Sequence, residues 1–286
     1  MEVAFWSNIG GKNAVTSNLA GISVMLALEK NCQSVLFENH CHMMNLEKMF
    51  VRRRPVNLLR EEENYFYNHV GMDSLIKMIH SNLYSEDIFT KSSLNFLNHG
   101  ISYIPQSRLV NKELFEYELN QVIEGFLEYM EEISLLTFID TAGCDNLSTK
   151  VILSKADLVV INLSQDPQVI DHFFENYSSL TSKAVYLLGN YDHNSKFNLI
   201  NIRRKYHINK EKIAVIPHSA AFRDSIMSGD IISFLLHNQK CKKDDENYYF
   251  IKELKKAANM IYLRLNEQSP SFSQDDSKMK RLVSFE

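Results

Sequence analysis

The sequence predicts an α/β fold, a mostly parallel twisted sheet with helices on both faces. Short, nearly continuous apolar runs recur along the chain, and helical patterns lie between them. Strands buried on both faces read as unbroken apolar runs, and their alternation with helices marks crossover-connected parallel strands. A composition of 45% hydrophobic and 11% aromatic residues over 286 positions is enough for a large packed core.

The apolar runs place strands at 3–6, 34–37, 101–104, 135–139, 158–163, 184–188 and 213–216. Helical spacing places helices at 15–28, 113–132 and 166–181. A terminal helix at 248–265 repeats Ile251, Leu254, Ala258, Ile261 and Leu265 along one face. Residues 50–95, dense in charged and aromatic groups, are expected to hold helices between the second and third strands. Residues 1–266 contain no internal repeat and no Gly/Ser-rich linker, so they are read as one domain. Residues 267–286, rich in Ser and Asp, are read as a flexible C-terminal tail.

A formal net charge of −4 gives no global basic field, which argues against a protein that coats nucleic acid through bulk electrostatics. Basic groups do gather at Arg52-Arg53-Arg54, Arg203-Arg204-Lys205 and Lys240-Cys241-Lys242-Lys243. Acidic runs at Glu61-Glu62-Glu63 and Asp244-Asp245-Glu246 lie near two of them, so solvated faces are expected and nucleic acid is not an expected partner. Four scattered cysteines without a CxxC pair read as reduced thiols of a cytoplasmic protein. The opening lacks a basic, apolar leader, and no apolar run reaches the roughly 18 residues that would span a bilayer.

The segment Ser7-Asn8-Ile9-Gly10-Gly11-Lys12-Asn13 follows the first strand and precedes the first helix. A phosphate-binding loop needs that position, because backbone N–H groups and the helix N-terminus then address one anion. The full motif GxxxxGK[ST] is met only in part: Trp6 stands where the first Gly belongs, Gly11-Lys12 match, and Asn13 replaces the hydroxyl residue. Taken alone, the segment also fits an ordinary glycine-containing turn between strand and helix.

Gly11-Lys12-Asn13-Ala14-Val15-Thr16-Ser17-Asn18-Leu19-Ala20 resembles the GKTTTxxNLA pattern of the MinD/ParA class of P-loop ATPases. Val35 to Glu47 is similar to that class's second strand and switch I, and Phe138-Ile139-Asp140-Thr141-Ala142-Gly143 to its switch II. Ala156 to Leu163, then Gly189-Asn190-Tyr191-Asp192, then Val215-Ile216-Pro217 with Phe222-Arg223-Asp224 and Gly229, follow in the class's order. The resemblance covers about residues 3–240. It implies a P-loop fold that binds ATP or ADP with Mg²⁺ and dimerises. Carried over by position, it puts Ser7, Gly10, Gly11, Lys12, Asn13 and Ala14 in the phosphate loop. Asp140 would act on the metal with Asn13, and Gly143 would sense the terminal phosphate. Asn190 and the segment after Pro217 would border the adenine, and Lys12 and Asp140 would be catalytic in an active enzyme.

Within that class, Ala4-Phe5-Trp6-Ser7 and the turn from Gly189 to Lys196 look most like the TadZ/CpaE branch, which positions Tad-type pilus machinery. That likeness implies pilus or secretion-system proteins as partners. The basic, partly apolar stretch Lys278 to Phe285 resembles the membrane-targeting tail of MinD and implies peripheral contact with the inner face of the membrane.

The chain departs from the class at three cooperating roles. Ser7 stands where a signature lysine would reach the partner's nucleotide, Asn13 where a hydroxyl would ligate Mg²⁺, and His40 where switch I carries a carboxylate, with Glu38 at the preceding strand end. Groups that act as a unit lose most of the rate when one is lost, so slow or absent hydrolysis is expected, with either retained nucleotide binding or no nucleotide at all. The alternative is an active Mg-ATP switch of the partitioning or division-site type, in which other groups substitute. His40-Cys41-His42 offers metal-ligating atoms, but adjacent residues on an extended segment point to alternate faces, so no site is expected there. Cys144 stands where nitrogenase-type iron proteins carry a cluster ligand, and no second cysteine lies between Cys41 and it.

Overall fold

The computed structural model describes residues 1–52, 71–82, 86–106, 111–143 and 145–268. The acidic run at 61–63, Arg53, Arg54, Cys144 and residues 269–286 lie outside them. So do the amphipathic C-terminal stretch and the membrane contact expected of it.

Eight strands form one sheet in the order β3-β4-β2-β5-β1-β6-β7-β8. They are β1 (Glu2–Trp6), β2 (Ser34–Glu38), β3 (Leu94–Phe96), β4 (Ile101–Tyr103), β5 (Thr137–Asp140), β6 (Leu158–Leu163), β7 (Ala184–Tyr191) and β8 (Ile213–Pro217). All pairings are parallel except β3 with β4. The expected mostly parallel sheet is thus present, and the seven expected strands all lie in it. The helices are α1 (Val15–Lys30), α2 (Leu46–Phe50), α3 (Met72–His80), α4 (Glu86–Ser92), α5 (Lys112–Ile133), α6 (Leu147–Lys155), α7 (Pro167–Asn176), α8 (Leu199–Lys205), α9 (Ala220–Ser228), α10 (Ile231–Asn238) and α11 (Tyr248–Gln268).

Burial on both faces explains the unbroken apolar strands. In β1, Ala4 and Trp6 join one core with Phe126 of α5 and Phe173 of α7, while Val3 and Phe5 join the other with Leu19 of α1 and Leu254 of α11. Edge-on aromatic pairs, Phe5 with Phe138 and Phe37 with Phe126, lock helices and strands together.

The structure corrects the sequence reading at two elements. The helix expected over 166–181 ends at Asn176, and Ser178–Lys183 forms a 3₁₀ turn. Tyr177 breaks the run: its ring packs on Trp6 at 4.8 Å, and the Ser- and Thr-rich stretch after it has little reason to stay helical. The short strand β3 was not expected. It pairs with β4 through a turn in which Leu97, Asn98 and His99 all have positive φ, a backbone that residue pattern alone does not announce.

One internal tie fixes α1 on the sheet. Asn18 donates through Nδ2 to Asn162 Oδ1 of β6 at 2.8 Å, both residues fully buried, and Asn162 in turn donates to Val160 O at 3.1 Å. Two amides satisfying each other avoid the cost of an unpaired polar group in the core.

At the opposite edge Glu2 is buried with no partner for either carboxyl oxygen. Burial pushes its pKa up to about 7, with Glu131 and Asp157 adding to the rise against the N-terminus and Lys155. The folded state therefore holds this proton more tightly than the unfolded chain, and stability falls as pH rises from about 4.5 to about 7. Glu2→Gln is expected to raise stability above pH 7 by about 1–3 kcal/mol, with no gain below pH 4, measured by urea denaturation across that range.

Candidate functional site

The carboxyl ends of β2, β5 and β1 lie side by side, and open α/β sheets bind ligands at that edge. A cleft of about 660 Å³ opens there. Ser7, Gly10, Gly11, Asn13, Ala14, Asp140, Gly143, Asn190 and Pro217, all expected at a nucleotide site, line it. Lys12 does not: its side chain is exposed and lies outside the lining.

The loop after β1 is tied by its own side chains. Asn13 donates through Nδ2 to Ser7 Oγ at 2.6 Å, and the amide of Ile9 donates to the same oxygen at 3.3 Å. This knot turns buried Asn13 inward and leaves its neighbour Lys12 outside. Two glycines let other loops close against it. A Cβ on Gly143 would meet Gly10 N at 3.0 Å and Ser7 O at 3.1 Å, and one on Gly189 would meet Asn13 O at 3.0 Å.

The first helix does not open at residues 10–13, where a phosphate loop would place it. Ala14 takes a left-handed conformation (φ 56°, ψ 33°) and α1 begins at Val15, with no side chain capping it. Its first internal bond runs from Asn18 N to Ala14 O at 2.9 Å. The amides of Val15, Thr16 and Ser17, which line the cleft, are therefore the helix N-terminus available to an anion.

Beside this lies a buried polar cluster. β2 and β5 pair so that Glu38 sits opposite Asp140. Glu38 is 1% exposed, His40 3% and Asp140 1%, and their ligand atoms lie within 4.8 Å of one another. Glu38 Oε1 accepts from Leu46 N at 3.0 Å and Oε2 from Tyr103 OH at 2.8 Å. Burial pushes Glu38 above the ordinary carboxylate range; His40 opposes the rise and Asp140 adds to it.

His40 Nε2 lies 3.2 Å from Asp140 Oδ2, a charge contact too poorly aligned to count as a hydrogen bond, so Oδ2 is left without a partner. Burial pulls the His40 pKa down, but Asp140 and Glu38 outweigh it and raise it. Against that pull, Nδ1 faces two donors, Gln106 Nε2 at 3.2 Å and His42 N at 3.4 Å. Gln106 cannot simply turn over: its Oε1 accepts from Asn45 Nδ2 at 2.9 Å, while Asn45 Oδ1 caps α2 by accepting from Lys48 N at 3.0 Å. The hydrogen-bond pattern thus puts the ring proton on Nε2. His42 stacks on His40 at 4.1 Å and also lines the cleft, and Cys41 does not join them, so the three residues form no ligand set together.

Among the lining residues Asp140 is the one carboxylate and Arg223 the one permanent cation. The far wall is apolar, built by Met44, Met49, Ile216, Phe222, Ile226 and Met227. Arg223 and Phe222 stood in the segment after Pro217 that the sequence singled out. The methionines carried no signal, since spacing alone does not separate a cleft wall from a core face. Whether a cation suits the site can be judged from its acceptors. Asn13 Oδ1 and Asp140 Oδ2 are both buried without partners, and both residues line the cleft, so a divalent ion fits the donor set.

This architecture defines a class: the fold is that of the MinD/ParA P-loop ATPases. It is similar to the MinD of Pyrococcus horikoshii in complex with Mg-ADP, at 12% identity, 94% of this chain and 98% of that one, TM-score 0.67. A ParA family ATPase from Chlorobium tepidum matches at 13% identity over 90% and 98% of the two chains, TM-score 0.66. The cell division ATPase MinD of Pyrococcus furiosus matches at 15% over 92% and 98%, TM-score 0.64. No family model matches the chain, and no curated protein does. No helix among the described residues is long and apolar enough to cross a membrane.

Asn39, adjacent to the cluster, links the end of β2 to the loop after β5 and to α6. Its Oδ1 accepts from Ala142 N at 2.6 Å, and its Nδ2 donates to Thr149 Oγ1 at 3.1 Å and to Ser148 Oγ at 3.3 Å. Asn39→Ala strands a buried N–H, and it is expected to lower stability by about 1–3 kcal/mol in urea denaturation.

Proposed function

We propose that the chain is a nucleotide-binding localisation or assembly factor of the MinD/ParA type that hydrolyses ATP slowly or not at all. The observation that carries this reading is the cleft itself: a helix N-terminus and a set of apolar residues line one cavity at the carboxyl edge of the sheet, while Lys12 stays outside. The first would hold phosphate and the second would hold the base. Asn13 Oδ1 and Asp140 Oδ2 would hold a divalent ion, whose chemistry is to neutralise phosphate charge.

Hydrolysis needs a cation at the terminal phosphate and an oriented water. Ser7 supplies no charge, Lys12 is turned to solvent, and His40 puts an imidazole where a carboxylate would order water. Binding energy without chemistry suits a protein whose bound state recruits others. The likeness to the TadZ/CpaE branch suggests pilus or secretion-system proteins as those partners, with a homodimer as the recruiting form. Contact with the inner face of the membrane through residues 278–285 belongs to the same reading.

ADP and ATP at about 100-fold over Kd are each expected to raise the melting temperature by roughly 5 °C, since a ligand of the folded state alone adds about 2.7 kcal/mol. ATP turnover should stay at or below about 10⁻³ s⁻¹ and be indifferent to Lys12→Ala. Thr16→Glu should leave the free protein as stable as before, because a carboxylate suits a helix N-terminus, yet weaken nucleotide binding more than about tenfold. Faster hydrolysis that Lys12→Ala abolishes would replace this reading with a working ATPase switch.

A further inference from the structure

We propose that Glu38, His40 and Asp140 form a site for a zinc-class transition-metal ion, set into the wall of the cleft. The inference goes beyond the nucleotide reading and shares one atom with it: Asp140 Oδ2 serves either this ion or the one beside Asn13, and Glu38 and His40 belong to this site alone.

His40 Nε2 and Asp140 Oδ2 meet at the centre of the cluster. At 3.2 Å the two atoms are near enough to pair, yet the N–H and the oxygen are not aligned on each other, and Oδ2 is buried without a partner. Two atoms side by side at this spacing are disposed as ligands of one ion. Donors about 2.0–2.2 Å from a metal and roughly 90–110° apart are themselves about 2.9–3.5 Å apart. Glu38 lies within 4.8 Å of both and has lone pairs to spare, since each of its oxygens accepts a single hydrogen bond.

The donor set decides the metal. An imidazole with two carboxylates suits Zn²⁺ or its neighbours, whereas Mg²⁺ prefers an all-oxygen shell with several waters. Tyr103 and the amide of Leu46 already orient Glu38, and Gln106, tied to Asn45, holds the ring of His40 with Nε2 toward Asp140. One adjustment accompanies loading. The metal displaces the Nε2 proton, and Nδ1 must then carry the ring proton and find an acceptor. Gln106 can supply one only by turning its amide over and giving up Asn45.

That adjustment makes the proposal testable on the full chain with metal alone. Zn²⁺ is titrated by calorimetry, and Co²⁺ is followed by its visible absorption. One Zn²⁺ per chain is expected, at least about 100-fold tighter than Mg²⁺. His40→Ala should weaken Zn²⁺ at least about tenfold. Gln106→Glu, which gives Nδ1–H a permanent acceptor, should tighten it by about tenfold. Cys41→Ser should change nothing, and circular dichroism confirms that each variant is folded. The proposal is overturned if His40→Ala binds Zn²⁺ as well as the parent chain, if Cys41→Ser abolishes binding, or if Mg²⁺ competes on equal terms. A chain that takes Zn²⁺ but shows no melting shift with ADP keeps this site and loses the nucleotide reading. The reverse result does the opposite.

Discussion

Pairing of β2 with β5 sets Glu38 directly beside Asp140, two carboxyl groups at the end of a sheet and almost wholly out of water. Like charges so placed cannot both ionise cheaply in a low-dielectric interior, and the surrounding structure answers that problem. Tyr103, kept protonated by its own burial, donates to one oxygen of Glu38, and the amide opening α2 donates to the other. His40 is drawn in beside Asp140. The path of the chain from Glu38 to Leu46 follows from these ties.

The opposite wall obeys a different constraint. The loop after β1 must reach from a central strand to a helix held on the sheet by the buried amide pair Asn18 and Asn162. A small residue at position 7 lets Asn13 bond back across the loop. The same closure moves the helix start to Val15 and forces Ala14 into a left-handed backbone that costs a non-glycine residue about 1 kcal/mol. Ser7 and Asn13 therefore act as one structural unit, since each supplies half of the bond that shapes the loop.

The strands were legible because burial on both faces leaves an unbroken apolar signature that a single sequence displays. β3 was not, being three half-exposed residues whose pairing is set by a turn of positive-φ residues. At the cleft, order along the chain was enough to bring Ser7, Asp140, Gly143, Asn190 and Pro217 to one place, because parallel strands deliver their carboxyl ends to one edge. Side-chain direction was not legible. Lys12 is turned out by a hydrogen bond between its neighbour and a residue six positions away. The partners of His40 are Asp140 and Gln106, 100 and 66 residues distant, and its stacking on His42 was not legible either. Such contacts depend on the assembled sheet and leave no local pattern to read.

Where the interior leaves polar atoms unpaired also separates structure from function. Glu2 resolves its burial by keeping a proton, and nothing around it requires a ligand. Around the cleft the case differs: Asn13 Oδ1 and Asp140 Oδ2 are buried acceptors that no donor among the described residues meets. Each such atom costs about 1–3 kcal/mol against a paired one, a large part of the margin by which a domain stays folded. Apolar residues of similar size would remove that cost at once. Two such acceptors, one on the loop after β1 and one at the end of β5, line the cleft that the N-terminus of α1 also lines.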